Sequence, residues 1–385
     1  MQVEGCCTYI PLTPSTKMSF SISRKAWTEC YALFRLLRDG RIAAGTATGV
    51  PDPEQCTPVT RIVREEGKYT RQYLRTATHI EITAIPREEE SGEPTTSYQV
   101  SLEEWDAQTT ALLQALRQTE GDEVTADDGQ EAFMDRIGLY ELAGTAQGPE
   151  RMTLTTGDGE TGCSLWTRTG PTPHRLLDGG RAANLKLAHT GARFSSPEVN
   201  KVNALETAHT VRDRMWLIEQ TGGTLRYHDV ADRVFRANLN MIDLHMGRLL
   251  TEMVRTSYTE ESLKLADLAV RMNELNPLKV KDELIVKHGF YTYKIKQLLL
   301  ACAAGMRPAK IFTGTENLPA GIIVLNADGT PQLFRSTDRN LLADFLFGNT
   351  RLERGALEKD KYGYMERENN AYYFKLNLKI ALTKR

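Results

Sequence analysis

The chain has 385 residues and a formal net charge of −2, long enough to bury a large core and to divide into two lobes. No uncharged apolar run reaches the length of a membrane span, and residues 1–17 lack the basic start and apolar middle of a signal peptide. Six cysteines, Cys6, Cys7, Cys30, Cys56, Cys163 and Cys302, form no CxxC pair. This spacing predicts neither a zinc site nor a disulfide framework, and a reducing cytoplasm as the setting.

In chain order, residues 1–22 read as a leader. Ser23 caps a helix to about Asp39, with Trp27, Tyr31, Phe34 and Leu37 on one face and Gly40 as its stop. From Val59 to Val100 the pattern is extended, broken by an acidic loop over Arg87 to Pro94. Ser101 to Glu104 makes a capping box for a helix carrying Leu102, Trp105, Leu112, Leu113 and Leu116. Residues 119–130 read as a polar loop, and 145–200 as short strands joined by Gly-, Thr- and Pro-rich turns. Helices are predicted over 208–221, from Asp229 towards Ser257, from Thr259 to before Pro277, and over 281–304. Ile322 to Phe334 reads as a β-hairpin turning at Asn326 to Gly329. A last helix, 338–347, precedes a closing strand from Tyr372. The lobes expected are 23–205, a helical region 206–318, and a C-terminal segment 319–385 returning to the first.

Charge is unevenly divided. Residues 1–160 hold 15 Lys and Arg against 26 Asp and Glu, whereas 161–385 hold 33 against 24. An acidic lobe beside a basic one suits a protein that grips phosphates on one side. Arg212, Arg214, Arg233, Arg236, Arg248 and Arg255 stud the helical middle together with Asn238 and Asn240, and arginine forks and asparagine amides match base edges. Some of these charges have acidic neighbours, Asp229 and Asp232, and solvated helix faces carry arginine too. Lys281, Lys287, Lys294 and Lys296 form a denser basic cluster suited to phosphate. Metal-dependent phosphodiester cleavage needs carboxylates for Mg²⁺ and a cationic helper. The carboxylate candidates are Glu29, Asp158 and Glu160, although Asp158-Gly159 also reads as a plain hairpin turn. No HExxH, GxGxxG or GxxxxGK[ST] motif is present.

Three separated blocks resemble the HpaII-type restriction endonucleases. Trp27-Thr28-Glu29-Cys30-Tyr31 is similar to that family's Trp-Ser-Glu-x-Tyr helix. Leu176-Leu177-Asp178 through Ala183-Asn184-Leu185 resembles its Leu-Leu-Asn…Thr-Asn-Phe stretch, and Val234 to Asp243 resembles its middle helix. The closing segment, Phe345 to Glu353 and then Tyr362 to Ile380, has the family's cadence as well. The resemblance implies an α+β fold: a PD-(D/E)xK nuclease-like mixed sheet with a helical DNA-binding region. It also implies double-stranded DNA as partner, Mg²⁺-dependent cleavage of a CCGG-like palindrome, a homodimer on that palindrome, and a cognate methyltransferase. Asn184, Asn349, Thr350, Arg351 and Lys361 join the expected DNA contacts through these blocks.

One departure stands out. Where the family carries Gly-Phe-Ser-Ile-Lys-Ser, this chain reads Gly162-Cys163-Ser164-Leu165-Trp166-Thr167, so Trp166 occupies the lysine slot. The catalytic aspartate is expected near Arg151 to Thr155, where no Asp stands. Arg168 or Lys186 could take over the lysine's role beside Glu29, Asp158 and Glu160. The alternatives are a cleavage-deficient relative acting as sensor, regulator or partner subunit, and a scaffold with different base chemistry.

Overall fold

The computed structural model describes residues 21–88, 94–191, 193–260, 262–314 and 317–384. All but the last two residues of the expected leader, and most of the acidic loop after Arg87, lie outside the described residues. The fold is α+β. Its centre is a mixed ten-stranded sheet, in the order Asp52–Pro58, Arg41–Ala44, Pro331–Arg335, Gly321–Leu325, Gly159–Thr167, Met152–Thr156, Arg61–Glu66, Tyr69–Arg75, His79–Pro86, Thr96–Ser101.

Most neighbours in this sheet are antiparallel, as short hairpin connections dictate. Two junctions are parallel: Gly159–Thr167 with Gly321–Leu325, and Pro331–Arg335 with Arg41–Ala44. The parallel pairs join strands far apart in sequence, and they sit where the sheet is covered on both faces. Accordingly Gly321–Leu325 is buried at all five positions.

Two hydrophobic cores lie on opposite faces of these middle strands. Period-2 alternation divides their side chains between them. Cys163, Ile323, Leu325 and Leu333 face a core shared with the first helices. Trp166, Ile322, Val324 and Phe334 face a core shared with the helical middle and the C-terminal strands. Leu176, Leu185, Leu187 and Val202 also belong to the second core, so the packing divides along Gly159–Thr167.

The first core is built on the helix Arg24–Asp39, capped by Ser23, whose side chain accepts from the Ala26 amide, and ended by Gly40 in the left-handed region. It packs on the helix Leu102–Gln118. Phe34 and Trp105 stack with centroids 4.0 Å apart, and the Trp105 indole donates to the Phe34 carbonyl at 3.0 Å. Tyr31 donates to the Gly329 carbonyl at 2.9 Å. A Cβ on Gly329 would stand 2.5 Å from that hydroxyl, so the hairpin turn needs glycine there. Beneath these helices a buried charge network (Arg64, Glu66, Arg71 and Tyr73) ties residues 137–142 to the sheet.

Several sequence expectations differ from what forms. The helix expected from Asp229 is preceded by a strand, Gly223–Val230, paired antiparallel with Asn184–Gly191. Asp232 then caps the helix Arg233–Ile242 by accepting from the Phe235 amide. A break at Asp243 separates it from Met246–Thr259. The helix expected over 281–304 is two helices parted by Gly289 at φ 56°. Within the expected polar loop, Glu123–Thr125 pairs with Ser21–Ser23, and Asp127 opens another helix, Asp128–Arg136. Among the described residues no helix is long and apolar enough to cross a membrane.

Candidate active site

Glu29 sits on the inner side of the first helix, only 4% exposed. Its Oε2 accepts from the Gly144 amide at 3.0 Å, and its Oε1 lies 4.0 Å from Arg151 Nε. Arg151 in turn donates to the Gly144 and Ala146 carbonyls. The carboxylate therefore has a fixed position, with a cation rather than a second acid as its charged neighbour.

A cavity of about 670 Å³ opens beside it. Thr28, Glu29, Leu165, Thr167, Pro173 and His174 line it, with Lys25, Asp122 and Arg175 around the mouth. Lys25 and Glu29 are one turn apart on the same helix, the spacing that brings two side chains to one face. His174 stacks on Trp166, centroids 4.9 Å apart and planes 10° apart. Burial, reinforced by Arg307 and Lys25, pushes the His174 imidazole down to about 3, so the ring is neutral at pH 7.

That depression has a consequence for stability. Between about pH 3 and the ordinary histidine value the unfolded chain binds a proton that the folded one refuses. His174 therefore costs stability as pH falls through that window and costs nothing above it. We expect His174→Phe, which keeps the ring on Trp166, to flatten the pH dependence of the urea midpoint between pH 4 and 7. The effect is on the order of a few kcal/mol at the acid end; an unchanged slope would refute the assignment.

The expected metal set does not come together. Asp158 stands at the hairpin tip, 3.2 Å from Arg335. Glu160 pairs with Arg61. Glu160 also shares strand parity with Trp166, which puts it on the sheet face opposite Cys163 and the first helix. It lies about 16 Å along the strand from Leu165 at the usual rise. Among the described residues no three His, Cys, Asp or Glu side chains are placed to hold a metal. Met152 and Leu154, in the stretch expected to carry the catalytic aspartate, are core residues.

The substitute cations are occupied elsewhere. Arg168 is 1% exposed and donates to the Thr383 carbonyl and hydroxyl and to the Asn326 and Asn349 amide oxygens. It fastens the chain end to the sheet. Lys186 pairs with Glu368 and lies over the Tyr373 ring at 4.1 Å, on the separate four-stranded sheet.

The expected DNA contacts divide in the same way. Arg214 is buried, donating to three carbonyls, those of Asn203, Leu205 and Gly363. Asn238 is buried against Arg307, Lys310 and Phe312. Asn184 holds the Asp360 and Lys361 carbonyls. Asn349 donates to Ala47 and Phe345, and Thr350 to Leu346. These six polar groups, Arg168 included, hold the fold. Exposed or half-exposed are Arg212, Arg236, Asn240, Lys281, Lys287, Lys294, Lys296, Arg351 and Lys361. Ion pairs engage Arg236 with Asp229, Lys287 with Glu283, Lys294 with Asp243 and Lys296 with Asp344. Arg351 lies near Glu353 and Lys361 near Glu358.

The sequence reading named Arg248 and Arg255 but missed the polar cleft of about 650 Å³ that brings them together with Arg226, Lys279, Glu219 and Glu252. It also missed Lys25 and His174 at the cavity. The Lys25–Glu29 spacing was a usable signal; His174, within Pro-Thr-Pro-His, offered none.

The family model of the HpaII restriction endonuclease matches residues 23–382. The chain belongs to the HpaII restriction endonuclease family. That is a family of type II site-specific deoxyribonucleases. The type II restriction enzyme HpaII of Haemophilus parainfluenzae is 24% identical over 371 residues, covering 94% of this chain and 98% of that relative. No solved structure matches the chain. Within this HpaII-family scaffold, Trp166 points into the second core.

Proposed function

We propose that this HpaII-family chain recognises a short CCGG-like palindrome in double-stranded DNA and hydrolyses a phosphodiester there. The match over nearly the whole chain carries this reading. A palindrome suits a two-fold homodimer, and a companion methyltransferase would shield the host's own sites. The exposed cations Lys281, Lys287 and Arg212, with Asn240, are proposed backbone and base contacts.

Mg²⁺ is the cofactor such chemistry calls for, since it neutralises charge on the transferring phosphate. Magnesium commonly needs only one or two protein carboxylates alongside phosphate oxygens. Here Glu29 is the single inner-wall carboxylate of the cavity, and it is already engaged by the Gly144 amide with Arg151 nearby. The residues fit a protein-built metal site poorly.

A second reading is favoured by Trp166: a relative that binds its target without cutting and serves as sensor, regulator or partner subunit. A duplex bearing one CCGG site separates the two. Gel-shift retention together with nicking or cleavage in Mg²⁺ or Mn²⁺ supports the endonuclease. Tight retention with an intact duplex leaves the non-cutting relative. Absence of both retention and cleavage removes the target assignment.

A further inference from the structure

We propose that the cavity beneath the first helix receives a single nucleobase bearing an exocyclic amino group, everted from the duplex. The proposal rests on the DNA partner proposed above and is independent of cleavage.

The cavity has the wrong chemistry for a nuclease centre and suitable chemistry for a base. Of the two carboxylates that line it, Glu29 is buried and Asp122 exposed, and among the described residues no three His, Cys, Asp or Glu side chains are placed to hold a metal. Enzymes and sensors that hold an extruded base read its edge by hydrogen bonds and cover its faces with aromatic and apolar side chains. Both elements are present. Leu165 and Pro173 supply apolar wall, and the neutral His174 ring, backed by Trp166, supplies a flat aromatic one. At about 670 Å³ the space lies within the range of small-molecule sites, roughly 300–1,000 Å³. Trp166 itself is not the stacking surface, because it is 5% exposed within the second core.

Glu29 sets the choice of base. An ionised carboxylate only accepts hydrogen bonds. Its Oε2 is held by Gly144, while Oε1 accepts no hydrogen bond among the described residues. The amino groups of cytosine, adenine and guanine can donate to it; thymine has no amino group and offers only its N3–H, flanked by two carbonyl oxygens that a carboxylate repels, so it should bind least. Thr28 and Thr167 add hydroxyls that can donate or accept. Lys25, exposed at the mouth, is placed to meet a flanking phosphate, whereas Arg175 is engaged by Glu353 and Asp178.

The test uses the full chain in two arms. In the first, dCMP, dAMP, dGMP and dTMP are titrated by ligand-observed NMR. We expect at least one amino-bearing nucleotide to bind and dTMP to bind least. Glu29→Gln should weaken the preferred nucleotide about tenfold, as loss of a charge-assisted hydrogen bond implies. Thr167→Trp, which fills the cavity, should abolish the signal. In the second, 2-aminopurine is placed at each position of a CCGG-bearing duplex, and unstacking on binding should raise its fluorescence at one position. No nucleotide binding, dTMP binding as well as the others, or binding unaffected by Thr167→Trp overturns the proposal. So does a retained duplex with flat 2-aminopurine fluorescence at every position. Mononucleotide binding without duplex retention sustains the cavity and removes the DNA target instead.

Discussion

Glu66→Ala is expected to cost about 3–5 kcal/mol, the usual penalty for removing one partner of a buried ion pair. Glu66 is 3% exposed. It accepts from Arg64 Nε at 2.7 Å and from the Tyr73 hydroxyl at 2.7 Å, and lies 3.2 Å from Arg71 Nε. Its loss leaves two guanidinium groups buried without a counter-charge. Both arginines also hold the loop that leads to Gly144, through the Leu142 and Ile137 carbonyls. The Glu29 carboxylate should therefore lose its fixed position together with global stability. Replacing all four members by apolar residues (Arg64→Met, Glu66→Leu, Arg71→Met, Tyr73→Phe) should cost less than the single change, because no orphan charge remains. Urea unfolding of both variants decides this. A single variant within about 1 kcal/mol of the parent, well below that penalty, would sink the account.

Trp166→Lys places a lysine where the resemblance expects the family's, and we expect it to harm the protein without raising cleavage. Trp166 is packed in the second core and covers His174. Truncating a buried Trp costs about 3–5 kcal/mol. The ammonium would then enter an apolar site already under the positive field of Arg307 and Lys25, the same field that depresses His174. Among the described residues no three His, Cys, Asp or Glu side chains are placed to hold a metal beside it. Unfolding midpoints and the CCGG digestion together form the test; a stable variant that cuts faster than the parent would show that the site lacked only its lysine.

The parts of the fold written in local pattern were legible. Ser23 and Gly40 bracket the first helix because caps act within one turn, and Asn326 to Gly329 marks the hairpin because a tight turn has few permitted residues. The strand Gly223–Val230 was missed, since its role depends on pairing with Asn184–Gly191 and nothing local says so. The site was less legible for the same reason. Asp158 and Glu160 look like metal ligands in one dimension, but strand parity and the hairpin tip send them away from Glu29. Asn349 and Thr350 look like DNA contacts because they are polar within a resembling block, and Arg168 looks like a substitute for the lysine because it is a cation close by. Buried, they spend those groups on carbonyls and amide oxygens of the chain itself. The resemblance identified the scaffold and could not say which polar residues face outward.

The parallel pairing of Cys163 with Gly321 also bears on how the molecule is made. As the chain leaves the ribosome, Gly159–Thr167 has its antiparallel neighbour Met152–Thr156 at once. Its other edge stays open until the hairpin Gly321–Arg335 is synthesised, after the whole helical middle. An open apolar edge invites pairing between nascent chains, and long-range pairing of this kind folds slowly. A message cut short before that hairpin should yield aggregate rather than a free N-terminal lobe, so the segment from Gly321 onward is a condition for the first lobe to remain in solution.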